Sequence, residues 1–146
     1  MEKKRHGFVT FWLWLMLIGN LFSGIYSIYN HNVALWAYAS LDMAQQFFYF
    51  NREIAHFYSY AMIALGCIGI VNTVSAIMLL NWKKIGFWMF LVMAVLNFCL
   101  MISFGCIGGW TTAIFQSIGG AILGPIILYL ILLIRKNGIS CWSQLD

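Results

Sequence analysis

The sequence predicts an all-α membrane protein: four transmembrane helices, both termini on the cytoplasmic side, and an amphipathic interfacial helix between helices 1 and 2. Three observations lead there. Between Phe8 and Ile134 the chain holds four long apolar stretches, none containing Lys, Arg, Asp or Glu. Of its residues 63% are hydrophobic and 8% charged, against about 25% charged in ordinary soluble domains. Seven of the eight basic residues fall in segments that share one side of a membrane once four crossings are drawn. A charge at the bilayer centre costs roughly 2.5 to 3.5 kcal/mol even on the lenient insertion scale, so charge-free runs of this length are selected by lipid.

At about 20 apolar residues per crossing, the first span runs from Phe8 to Tyr29, after Lys3, Lys4 and Arg5. This run exceeds the roughly 7 to 15 residues of a signal-peptide core, and Ala37-Tyr38-Ala39, the nearest imitation of a cleavage site, lies well beyond it. An uncleaved first helix is expected. The second span runs from Phe57 to Leu80 and the third from Ile85 to Phe104. The gap between them, Asn81 to Lys84, is short enough to require antiparallel neighbours. The fourth span runs from Ala113 to Ile134 and carries the only proline, Pro125, directly after Gly124, which predicts a bend. Lys83 and Lys84, then Arg135 and Lys136, share the side of the N-terminal basic cluster, and Arg52 alone sits opposite. The positive-inside rule then orients the chain. With four spans in 146 residues, a single domain over 1–146 is the only economical organisation, because a further soluble domain needs about 50 residues or more.

Between the first two spans, Asn30 to His56 is the largest segment outside the membrane. Met43, Phe47, Phe50 and Ile54 share one helical face, and Asp42, Gln46, Tyr49, Arg52, Glu53 and His56 the adjoining one, which is the pattern of a helix lying in the interface. In the tail, Asn137-Gly138 reads as a helix terminator, with Trp142 and Leu145 positioned to fold back onto the interface.

Polar side chains inside the spans are few. Asn20 and Asn97 lie about 12 residues, or roughly 18 Å, from the cytoplasmic end, and Asn72 somewhat closer to it. An amide facing lipid leaves its donors and acceptors unpaired, so the three should point inward and bond to one another or to backbone carbonyls. They are read as structural glue or as a polar spot for a small solute or lipid headgroup. Gly120 and Gly124 form a GxxxG pair in the fourth span, while Gly66, Gly69 and Thr73 line one face of the second, and both faces predict close helix packing.

Candidate chemistry is sparse. Cys67, Cys99, Cys106 and Cys141 form no C-x-x-C pair, which argues against a thiol-disulfide oxidoreductase and for buried or reduced thiols. Glu53 and His56 are spaced i, i+3, but only Asp42 and His31 are within reach to complete a metal site. No catalytic, cofactor-binding or metal residues are assigned, and no enzyme activity or cofactor is expected. The net charge of +4 is not arranged on any soluble face that tracks phosphates, so nucleic acid is not a partner. No intramembrane carboxylate is present to couple proton movement, as small four-helix drug exporters require.

His6-Gly7-Phe8-Val9-Thr10-Phe11-Trp12-Leu13-Trp14, the turn Trp82-Lys83-Lys84-Ile85-Gly86-Phe87-Trp88 and the tail Arg135-Lys136-Asn137-Gly138-Ile139-Ser140-Cys141-Trp142-Ser143-Gln144-Leu145 resemble those of small uncharacterised four-helix integral membrane proteins of bacteria. The resemblance implies a bacterial cytoplasmic membrane, crossed several times, and brings no activity with it. The functional expectation is therefore an accessory or interaction component that binds the lipid bilayer, a membrane-protein partner or a second copy of itself. The alternative is a small oligomeric transporter or channel for an uncharged solute.

Overall fold

A computed structural model describes residues 6–40, 52–108, 122–136 and 138–146. In chain order it contains α1 (Gly7–Tyr29), α2 (Val33–Ala39), α3 (Arg52–Leu80), α4 (Ile85–Gly108), α5 (Gly124–Leu132), β1 (Arg135–Lys136), β2 (Ile139–Ser140) and α6 (Cys141–Gln144). Three of these helices, α1, α3 and α4, are long and apolar enough to cross a membrane.

The first span matches its expected bounds because capping groups stand at both ends. His6 accepts from the Phe8 amide through Nδ1 at 3.3 Å. At the other end the Asn30 side chain donates to the Tyr26 carbonyl at 2.9 Å. The second span begins earlier than its apolar stretch. Rather than starting at Phe57, α3 starts at Arg52 and is continuous for 29 residues, about 44 Å at 1.5 Å per residue, well over the roughly 30 Å hydrocarbon layer. No proline or glycine interrupts Arg52 to Phe57, so the ladder propagates through polar sequence that hydropathy assigns to a separate element. Ile54, assigned from sequence to the interfacial helix, is thus part of the first turn of α3. Met43, Phe47 and Phe50 lie outside the described residues. α4 likewise extends to Gly108 instead of Phe104.

Of the fourth expected span, only the latter part is described. A π turn at Ile122 and Leu123 leads into α5, with Pro125 next to the helix start. Proline lacks the amide that a regular ladder would use there, which accounts for the irregularity directly before it. Gly120 lies outside the described residues.

α3 is the central helix, packed along α1 on one side and α4 on the other, with α2 resting on it as well. The α1–α3 seam is built on glycine. A Cβ placed on Gly69 would stand 2.8 Å from the Gly24 Cα and 3.0 Å from the Asn20 carbonyl oxygen, and one on Gly24 would stand 3.0 Å from the Gly66 carbonyl oxygen. Backbones at such separation exclude every larger residue. The short connection from α3 to α4 makes them antiparallel neighbours. Trp82 closes α3 in the left-handed conformation with φ 64°, the Lys83 amide reaching the Met78 carbonyl at 2.9 Å and the Trp82 amide the Leu79 carbonyl at 3.2 Å. This is a Schellman cap with tryptophan where glycine is usual.

The tail departs from its expected form. α5 ends at Leu132, and beyond it Arg135 pairs with Ser140 and Lys136 with Ile139 as an antiparallel hairpin; Asn137 of the expected Asn137-Gly138 terminator lies outside the described residues. Gly138, between the two strands, adopts φ 82°, a left-handed conformation that glycine takes without strain. Ser140 then caps α6 by accepting from the Ser143 amide. The chain is secured by backbone bonds from the Asp146 amide to the Trp82 carbonyl at 2.8 Å and from the Lys84 amide to the Asp146 carbonyl at 2.6 Å.

These contacts gather at one end of the bundle, here termed the basic end because Lys83, Lys84 and Arg135 lie there. Val9, Leu13, Leu79, Phe87, Leu128, Ile131, Leu132, Cys141 and Leu145 form one buried cluster. Trp142 adds an aromatic triangle, edge-on to Phe87 at 5.1 Å and to Tyr129 at 5.2 Å. The Lys84 ammonium sits 4.7 Å from the Trp142 ring. Along the rest of α1, Phe11, Trp14, Phe22, Tyr26 and Tyr29 are exposed, which for a helix immersed in lipid is the ordinary outcome.

Candidate functional site

Directly above the basic-end cluster, α1, α3, α4 and α5 separate around a cavity of about 330 Å³ lined by Trp12, Leu15, Met16, Asn20, Asn72, Phe90, Asn97, Gly124, Ile127 and Leu128. Each helix supplies a stripe. Trp12, Met16 and Asn20 are spaced by four on α1, Phe90 and Asn97 by seven on α4, and Gly124 and Leu128 by four on α5, all spacings that place side chains on one helical face. Counted from the basic ends of their helices, these residues span roughly 8 to 20 Å of depth.

All three membrane asparagines meet here, although they come from three separate helices. Asn20 donates through Nδ2 to the Met16 carbonyl one turn earlier, at 2.7 Å, which leaves its own oxygen as an acceptor. Asn72 is buried at 9% exposure. The side-chain oxygens of Asn72 and Asn97 are both buried with no hydrogen-bond partner. The expectation was that the amides bond to one another or to backbone carbonyls; Asn20 does the latter, while the Asn72 and Asn97 oxygens accept from no group. The reason is positional: each amide sits on a different wall of a space wide enough to keep the walls apart. The contrast with nearby polar groups is sharp. Thr73 donates to the Gly69 carbonyl at 3.0 Å and Ser75 to the Val71 carbonyl at 2.9 Å. Leaving a buried acceptor unpaired costs about 1 to 3 kcal/mol, and the hydrocarbon layer offers no water to recover it.

None of the ten lining residues is ionisable. The walls combine amide dipoles with an indole, a phenyl ring, a thioether and aliphatic groups. Such a surface pairs with neutral hydrogen-bonding groups and leaves any formal charge unpaired. No protein-family model, curated protein or solved structure matches this chain. Its chemistry is read from its own geometry.

Other candidates from the sequence separate from this site. Gly124, expected as half of a packing pair, lines the cavity. Cys67 and Cys99 are exposed and Cys141 is buried, so the thiols do not share one environment. Glu53 and His56 lie in the first turns of α3, where His56 stacks on Tyr60. Among the described residues no group of three or more His, Cys, Asp or Glu converges on a metal position.

Sequence reasoning missed Trp12, Met16, Phe90 and Leu128 as walls of the site. The signal was present in their spacing from Asn20, Asn97 and Gly124. Reading it required knowing which face of each helix turns toward the same interior.

Proposed function

We propose that this chain is a bacterial cytoplasmic-membrane protein with four spans and both termini cytoplasmic. We further propose that it acts as an accessory or interaction component by holding a lipid or other membrane-soluble ligand. The observation that carries this reading is the cavity in which three amides meet and two oxygens stay unpaired. Amides used only to join helices have their donors and acceptors satisfied, by one another or by the backbone. Amides left open at a 330 Å³ cavity are suited to a guest that completes them.

Holding is favoured over passage. Trp12, Met16 and Phe90 line the cavity and also pack against the buried cluster at the basic end, of which Leu128 is itself a member. That cluster and the tail secured over it form a packed floor beneath the cavity. A transporter or channel for an uncharged solute would have to displace both.

Native mass spectrometry of the protein extracted gently from its own membrane tests the reading. A retained adduct of lipid mass, or a companion protein, is the expected spectrum. Bare protein at every activation energy would refute it, and flux through proteoliposomes above that of empty vesicles would favour transport. Orientation is checked by labelling, for which Cys141 is a poor reporter because only 2% of its surface is exposed. An exposed neighbour serves: Ser143→Cys should react with impermeant maleimide only after the cells are opened, while Cys141 stays unlabelled until the protein unfolds.

A further inference from the structure

A second opening lies along the α3–α4 groove, lined by Ala64, Ile68, Leu96, Cys99, Leu100 and Ser103, with a volume of about 420 Å³. Its position relative to the amide cavity follows from helix geometry. On α3, Ala64, Ile68 and Asn72 are spaced by four, so Ile68 stands one turn, about 6 Å, beyond Asn72 on the same stripe. On α4, Leu100 follows Asn97 by three residues, about 4.5 Å further in the same direction, away from the basic end. The groove thus lies about one turn beyond the amides along both helices, with no lining residue in common with the cavity. Its hydroxyl, on Ser103, is already committed to the Cys99 carbonyl at 3.0 Å, which leaves an apolar trough along α3 and α4 on the side of the amides away from the basic end.

Resting on the binding function proposed above, we infer that the cavity and groove together form one site for an uncharged, single-chain amphipath with a hydroxyl head, the chemical class of a long-chain alcohol. The hydroxyl lies among Asn20, Asn72 and Asn97, and the chain lies along Ile68 and Leu100. Two features select this class. With no ionisable lining residue, a phosphate, carboxylate or ammonium head would be buried without a counter-charge, a cost far above that of a neutral hydroxyl. The amides also lie deep, with the groove leading further from the basic interface, so the head must leave the headgroup layer. A lone hydroxyl can do this and recover its hydrogen bonds from the amides. Since it both donates and accepts, it can pair with either end of an amide, whereas a hydrocarbon leaves the Asn72 and Asn97 oxygens unpaired.

The test is photolabelling of the full chain in phospholipid nanodiscs with a hexadecan-1-ol carrying a diazirine on its chain, the adducts being located by peptide mass spectrometry. The expected result is saturable labelling of the peptides containing Ile68 and Leu100, displaced by dodecan-1-ol and not by dodecane or dodecyl phosphate. Asn97→Leu should lower the apparent affinity about tenfold, the equivalent of one lost hydrogen bond of about 1.4 kcal/mol. Val92→Leu, on the exposed surface of α4, should leave it unchanged. Ala64→Phe, which fills the groove at a distance from the amides, should abolish labelling even if the asparagine variants fold poorly. Displacement by dodecane as effective as by dodecanol, labelling indifferent to both Asn97→Leu and Ala64→Phe, or labelling confined to the exposed α1 surface at Phe11 and Phe22 would overturn the inference. A lipid or partner found by native mass spectrometry alongside such a result would leave the broader binding function standing and remove only this ligand class.

Discussion

The glycine seam and the amide cavity are built from adjacent turns of the same helices, and they meet opposite ends. On α1, Gly24 follows Asn20 by four residues; on α3, Gly69 precedes Asn72 by three. At the glycines the backbones approach until a single added carbon would collide at 2.8 Å. One turn toward the basic end, the same pair of helices, now joined by α4 and α5, encloses empty volume between three amides. Removing side chains lets two helices touch. Placing polar side chains where four helices converge holds them apart, because amides on separate walls cannot fill the middle. Tight packing at one turn of α1 and α3 thus adjoins open space at the next.

Breaking the boundary between the packed floor and the cavity should have the largest effect. Leu128 is 1% exposed and belongs to both, so Leu128→Ala extends the cavity downward and should cost about 2 to 5 kcal/mol, read as a shift in the unfolding midpoint in mixed detergent micelles. Next in size is a wedge in the seam. Gly69→Val should cost about 1 to 3 kcal/mol by overpacking against Gly24, and stability no lower than that of Gly19→Ala in the same assay would mean that the seam is not a close backbone contact. On the cavity side the sign reverses. Asn72→Leu removes an unpaired acceptor and should leave stability unchanged or raise it by about 1 kcal/mol, while weakening ligand retention in native spectra; a marked destabilisation would show that the amide is structural glue after all. Smallest is Gly19→Ala, where nothing lies within 4 Å of the added carbon. It should stabilise α1 by less than about 1 kcal/mol, which makes it the control for every glycine variant in the seam.

Much of the fold was legible from hydropathy alone, and the exceptions have identifiable causes. The bounds of α1 agree because a capping residue stands at each end of the apolar run. The early start of α3 at Arg52 was hidden because a helix, once nucleated, continues through polar residues that nothing interrupts, and a hydropathy argument sees only where lipid begins. A glycine such as Gly138 can end a helix or sit in a hairpin. Only the strand pairing of Arg135 with Ser140 decides between them. The closeness of Gly66 and Gly69 to another helix was readable from their spacing, but their partner, Gly24, was not, since one glycine among apolar residues carries no pairing information. For the site, the depth of Asn20, Asn72 and Asn97 was readable by counting residues, whereas their meeting at one cavity was not.

The sequence by itself determined that this chain places three long helices where lipid can surround them, because ionised groups are excluded from hydrocarbon and each run between charges has the length of a crossing. It also determined that its few amides lie deep. Only the tertiary structure decided that Asn20, Asn72 and Asn97 share one cavity with two oxygens unpaired, that Gly24 is the partner of Gly66 and Gly69, and that the tail is secured over the basic end. Those outcomes depend on the rotation of each helix about its own axis, which is fixed by the packing of all the helices together and not by the composition of any one of them.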